Sequence, residues 1–412
     1  MTTYSKYVNE ILKGWTCQDL IHPWSTSCGQ SFLDYMANWS FDGVKFFFPA
    51  IMISVVMKTK DNYTKAILKG IFDIFLCSAI GHVSFAIAMS WSCIFYNIFK
   101  RCYYSTTVLI PTFLGAQTVN LLPNNAIVGH ANPFACMFFE ILIKFMDFDC
   151  MKSMRKSKWW GTLWFMCGSA GLLHLLAKQR KTGVFWFIIP PKITKSTNVE
   201  TPNEEDVRKI VTLCTHKEKC VSFILQGMRT YANYGLMLEI LRNITANLGR
   251  IKSNPSQFLT LATKRINYNL VTFLMAYIGC YRLTSCLLKN YTSGHSVDFV
   301  NIAAGFAGGL AYAVWPNYNL FTTCIVTMLQ VYWQYLLAQE NCPKAVREVN
   351  KLPLSGLIYG ICMAVCVQTM VFYPDKTAHL SYIATRANSS GAVDGLKFTL
   401  TRPFFDAPFK YD

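Results

Sequence analysis

A chain of 412 residues that is 52% hydrophobic and only 15% charged, with a mean hydropathy of +0.26, carries more apolar side chain than a water-facing surface tolerates. This argues against a large soluble domain, whose helices would need polar outer faces, and makes the bilayer the expected solvent. The formal net charge of +17 resides in the connections between apolar runs and accompanies no groove-reading motif. It therefore points to a positive-inside topology and to anionic lipid head groups as partners, not to nucleic acid.

Residues 1–40 form an N-terminal segment with Cys17, His22 and Cys28 and no compact apolar signal followed by a cleavage site. A first membrane repeat is expected over 41–177. It opens with Phe41–Met57, whose Asp42, Lys45 and Pro49 suit a helix lying along the interface. Four runs long enough to cross about 30 Å of hydrocarbon follow: Ile71–Phe99, Tyr103–Leu122, Ala126–Phe145 and Trp159–Ala177. The connector 178–219, with Pro190-Pro191 and the polar run Thr194–Asp206, reads as a linker outside the membrane, and it ends in a second cluster, Cys214, His216 and Cys220. The second repeat, 220–373, begins with Val221–Leu241, again read as interfacial, and continues with Asn269–Leu288, Phe299–Trp315, Leu320–Ala338 and Leu354–Tyr373. Residues 374–412 are a polar tail. The basic connections favour four spans per half, with the connector and both termini on one side.

The halves are related. Phe113-x-Gly115 followed by Pro123-Asn124 recurs as Phe306-x-Gly308 followed by Pro316-Asn317 at a constant offset of 193, and Gly161 and Cys167 match Gly356 and Cys362 at 195. The expected fold is thus an all-α polytopic membrane bundle of two duplicated halves, each an interfacial helix plus four spanning helices.

Most of the sixteen cysteines, Cys77, Cys93, Cys280 and Cys366 among them, fall inside apolar runs, where cysteine behaves as a small packing residue. The two Cys/His clusters are different. Thiolate and imidazole are the ligands of tetrahedral zinc, so the clusters could face one another and hold a zinc ion, pair as disulfides, or remain unpaired at the interface. Gly305-x-x-x-Gly309, with Ala304 and Gly308 on the adjoining stripe, lets helix backbones approach closely. Charged or titratable side chains inside spans are expensive, which singles out His82 as a hydrogen-bonded packing residue or a ligand. Arg282 is expected to point into the bundle, with Thr284 and Ser285 as acceptors.

The opening Cys17-x4-His22-x5-Cys28-x3-Phe32-Leu33, the second cluster Cys214-x-His216-x3-Cys220, the run Thr284-Ser285-Cys286-Leu287 after Arg282, and Ala304-Gly305-Phe306-Ala307-Gly308 together resemble the transmembrane protein 135 family over residues 17 to 375. The second cluster is one residue tighter than that family's pattern. The second half is also similar in plan to the four-helix unit of mitochondrial inner-membrane import channels. The family resemblance implies a multi-pass protein of mitochondrial and peroxisomal membranes that influences the fission/fusion balance, peroxisome organisation and lipid metabolism, with fission machinery or other organelle membrane proteins as partners. It does not imply an enzyme, and the chain has no HExxH, Walker loop or GxSxG. The alternatives are a transporter or translocase-like channel with its pathway between the repeats, or a lipid-modifying enzyme.

Overall fold

A computed structural model of the protein describes residues 2–39, 42–48, 51, 63–179, 186–188, 219–264, 266–291 and 297–406. Within them the protein is helical, with no strand. In chain order the helices are α1 (Thr2–Ile11), α2 (Cys17–Leu20), α3 (Cys28–Ala37), α4 (Tyr63–Phe99), α5 (Ile110–Ala116), α6 (Asn124–Phe145), α7 (Asp149–Lys156) and α8 (Lys158–Lys178). They continue as α9 (Cys220–Ala246), α10 (Leu248–Ser253), α11 (Phe258–Thr263), α12 (Tyr268–Tyr291), α13 (Val297–Gly309), α14 (Tyr318–Leu337), α15 (Lys344–Lys351), α16 (Leu354–Phe372), α17 (His379–Asn388) and α18 (Ala392–Asp406). Helices α4, α6, α8, α12, α14 and α16 are each long and apolar enough to cross a membrane. The chain is a multi-pass membrane protein.

Two of the eight expected spans are helical without being α-helical throughout. Tyr103–Leu122 is a composite of a π turn (Ser105–Leu109), α5 and a 3-10 turn (Gln117–Leu121), and Phe299–Trp315 ends α13 in a 3-10 turn (Leu310–Ala313). Pro111 has no N–H to offer the carbonyl of Thr107, and that carbonyl accepts from the Ser92 hydroxyl at 2.9 Å instead. Helix α4 starts before its apolar run and, at about 1.5 Å per residue, is longer than the hydrocarbon core. It ends where Lys100 takes a positive φ of 52°.

The described residues form two compact units, Met1–Phe145 with Glu348–Asp412 and Met146–Arg347. This division does not follow the sequence halves: α8, from the first half, belongs to the second unit, and α16, from the second half, belongs to the first. In the first unit α16 packs on α5 and α6. Gly360 sits on Phe113 and Gln117, Gly356 sits on Asn120, and Tyr359 meets Phe134 edge to face at 5.2 Å. Gly115 lies against the backbone of α4 at Ser84 and Ala88, and the Ser84 and Thr118 hydroxyls hydrogen-bond at 2.5 Å.

In the second unit α8 packs on α13 and α14. The Ser169 hydroxyl donates to the Gly305 carbonyl at 2.8 Å and lies 2.7 Å from the Tyr277 hydroxyl, which also accepts from the indole of Trp186 at 3.0 Å. Trp186 and Ile188 are buried, so this part of the connector is not the exposed linker its composition suggests: its aromatic and aliphatic side chains pack beside the middle of α12. Non-helical backbone at that depth is tolerated because protein surrounds it. Trp186→Ala should cost about 3–5 kcal/mol, the range for truncating a buried large aromatic, and appear as a lowered melting temperature of the detergent-solubilised protein.

The first helix of the second half, expected along the interface, is not among the six helices apolar enough to cross a membrane. Helix α9 runs antiparallel along α12, from Phe223 beside Arg282 to Glu239 beside Asn267. Two of its polar residues, Glu239 and Asn243, are buried, while Gln226, Arg229 and Asn233 are exposed. Glu239 is buried, accepts the Asn267 N–H at 3.0 Å and pairs with Arg242 at 2.7 Å, while the Asn243 amide donates to the carbonyls of Ala262 and Lys264.

Candidate metal centre

The N-terminal segment is shaped by two capping motifs that place its thiols. Thr16 caps α2: its hydroxyl accepts the Asp19 N–H at 3.2 Å, and the Asp19 carboxylate accepts the Thr16 N–H at 2.8 Å, a reciprocal capping box. Cys17 is therefore the first residue of α2. Ser27 caps α3 in the same way through the Gln30 N–H, which makes Cys28 the first residue of that helix. His22 lies in the turn between them. Its Nδ1 is 2.9 Å from the Ser25 carbonyl, and because a carbonyl only accepts, Nδ1 carries the proton.

That bond leaves Nε2 of His22 as a lone-pair donor, and this nitrogen is buried with no hydrogen-bond partner. What faces it is sulfur. Cys17, His22, Cys28 and Cys93 each offer one ligand atom, and these four atoms all lie within 4.8 Å of one another. Cys93 comes from α4, two turns before its end at Lys100, so the centre ties the N-terminal segment to the first membrane helix. The Cys17 and Cys28 sulfurs are 3.8 Å apart. Two thiolates held about 2.3 Å from one tetrahedral zinc stand about 3.8 Å apart, whereas a disulfide would bring them to about 2.05 Å. A cavity of about 10 Å³, room for one water-sized body, is lined by His22, Cys28 and Cys93 together with Ser31, Tyr35 and Met89.

The residues present fit zinc. Three thiolates and one imidazole complete a closed tetrahedral set, with no position open to substrate, as in structural sites. The backbone carbonyl on Nδ1 is the outer-shell partner that fixes tautomer and ring orientation in metal-binding histidines. Burial, with the neighbouring Cys28 thiol, pushes the Cys17 thiol up to about 11, so metal loading must displace its proton. A two-iron cluster would divide its ligands between two metals; this tetrad converges on one point.

Sequence reasoning found three of these four residues and read Cys93 as packing. Of the second cluster, Cys214 and His216 lie outside the described residues, and Cys220, the first residue of α9, is not among the four. His82 is a packing residue beneath the centre. Its Nε2–H donates to the Tyr35 carbonyl at 3.1 Å, its Nδ1 lies 3.1 Å from the Ser390 hydroxyl, and the Tyr35 ring stacks on it at 4.4 Å.

Arg282 points at α9, where its guanidinium lies 4.0 Å from the Phe223 ring centre and donates to the Phe223 carbonyl; Thr284 and Ser285 are not the acceptors. Gly227 makes the room, since a Cβ there would sit 2.6 Å from the guanidinium carbon. The small-residue stripe divides between two neighbours. Gly305 and Gly309 rest on α8 at Ala170 and Met166, Gly308 rests on Tyr277 of α12, and Ala304 is fully buried.

No family model and no solved structure matches the chain.

Proposed function

We propose that this chain is an organelle membrane protein whose cysteine-rich N-terminal segment is fixed to its first membrane helix by a structural zinc centre at Cys17, His22, Cys28 and Cys93. In the terms the transmembrane protein 135 resemblance implies, it acts in mitochondrial fission/fusion balance, peroxisome organisation and lipid metabolism. The observation that carries this reading is the convergence of the four ligand atoms within 4.8 Å. Three of them are the residues on which the resemblance opens. The centre's role is architectural: it holds α2 and α3 against α4, and through Thr399, whose hydroxyl donates to the Leu20 carbonyl at 2.6 Å, it steadies the surface on which α18 docks.

The duplicated plan belongs to the same proposal. Each half gives a long helix, a second element ending in a 3-10 turn before a proline, a third helix, a short basic helix and a fourth helix. The short helices Asp149–Lys156 and Lys344–Lys351 match at the offset of 195 seen for the glycines. Gly161 meets Tyr312 in one 3-10 turn as Gly356 meets Asn120 in the other. These correspondences support two copies of one ancestral unit that have exchanged fourth helices.

The test is complementation. In cells depleted of the chain, the wild-type protein should restore mitochondrial network length and peroxisome number, and Cys93→Ser, expressed at the same level, should restore neither. Full rescue by Cys93→Ser would separate the centre from the function. A carrier reading has one observation in its favour, the 3-10 turn that each second element carries, since such turns within helices often mark functional hinges. Solute flux through proteoliposomes of purified protein would support it.

A further inference from the structure

We propose that the centre is a redox switch, in which oxidation joins Cys17 to Cys28 and expels the metal; this rests on the zinc reading above. Among the four ligands these two sulfurs lie 3.8 Å apart on segments separated by a short loop, so closing them to a bond needs only a small local shift. Cys28 is the half-buried member and lines the cavity that reaches the centre, so it is the thiol an oxidant meets first.

The chemistry balances with hydrogen peroxide as oxidant. The Cys28 thiolate attacks one peroxide oxygen, the O–O bond breaks, and a sulfenic acid and hydroxide form. The Cys17 thiolate then attacks the Cys28 sulfur, the S–O bond breaks, and a second hydroxide leaves as the disulfide forms. Two protons convert the hydroxides to water. Zinc is left with Cys93 and His22 alone, two ligands instead of four, and dissociates. A dithiol reductant reverses the step and, with zinc present, rebuilds the centre. The mechanical consequence is release of α2 and α3 from α4, and with them the Leu20 carbonyl that holds Thr399 of α18.

The experiment uses the full chain purified with its metal in detergent and titrated with hydrogen peroxide, following released zinc with a chromogenic chelator and mapping cysteines by alkylation and mass spectrometry. The expected result is one equivalent of zinc released in step with a Cys17–Cys28 disulfide, both undone by a dithiol plus zinc. Retention of zinc with Cys17 and Cys28 still reduced, at peroxide that has already oxidised the exposed Cys150, would overturn the switch and leave the metal reading standing. Zinc release with Cys93 in the disulfide, or with no disulfide, would also overturn it. Protein that carries no metal as purified would instead overturn the zinc reading itself.

Discussion

Cys93→Ser is expected to take bound zinc from one ion per chain to a small fraction of that, because a serine hydroxyl does not give up its proton to the metal and three ligands remain where four closed the shell. Outer-shell substitutions alone cost about 10- to 100-fold in metal affinity, so removal of an inner ligand should exceed that. His22→Ala should act alike. Cys342→Ser, a buried cysteine outside the tetrad whose thiol points to the Pro343 carbonyl, should leave zinc content unchanged. Metal analysis and melting temperature of the three variants against wild type check this. Structural zinc contributes apparent free energies of about 10–16 kcal/mol in small peptides; here the membrane helices carry most of the fold. Loss of zinc should therefore lower the melting temperature and open residues 2–39 to protease while the membrane helices stay folded.

Gly309→Ala should be the most damaging single methyl group added to the second unit. A Cβ at Gly309 would stand 2.5 Å from the Met166 Cα, which is backbone and cannot turn aside, so α8 and α13 must separate. Apolar burial gives little drive between helices in lipid, and close backbone contact takes its place. Overpacking of this kind costs about 1–3 kcal/mol. Gly129→Ala is the control: nothing lies within 4 Å of a Cβ there, and in the interior of α6 alanine should be neutral or stabilising by up to about 1 kcal/mol. A lowered melting temperature for Gly309→Ala beside an unchanged or raised one for Gly129→Ala is the expected pair.

The membrane class and the order of the helices were legible because both follow from local composition. Cys17, His22 and Cys28 were legible as a cluster because they lie close along the chain. Cys93 was not, since inside an apolar run a ligand thiol and a packing thiol look the same. The available signal was that three local ligands leave a tetrahedral site one short, and that Cys93 lies near the charged end of its span. The π turn before α5 was hidden because hydropathy does not register what Pro111 does to the bond ladder. The polarity of α9 was legible, but the partners of Glu239 and Asn243 within the second unit were not, because sequence shows polarity without showing the partner. That α8 packs in the second unit and α16 in the first was equally hidden, because the order of helices along a chain leaves open which of them pack together.

Zinc X-ray absorption on the purified full-length protein tests the central claim most directly. The account predicts one zinc per chain with a first shell of three sulfurs at about 2.3 Å and one nitrogen at about 2.0–2.1 Å, and with Cys17, Cys28 and Cys93 protected from alkylation until a chelator is added. Absence of metal, with those three thiols alkylated at once, would contradict it.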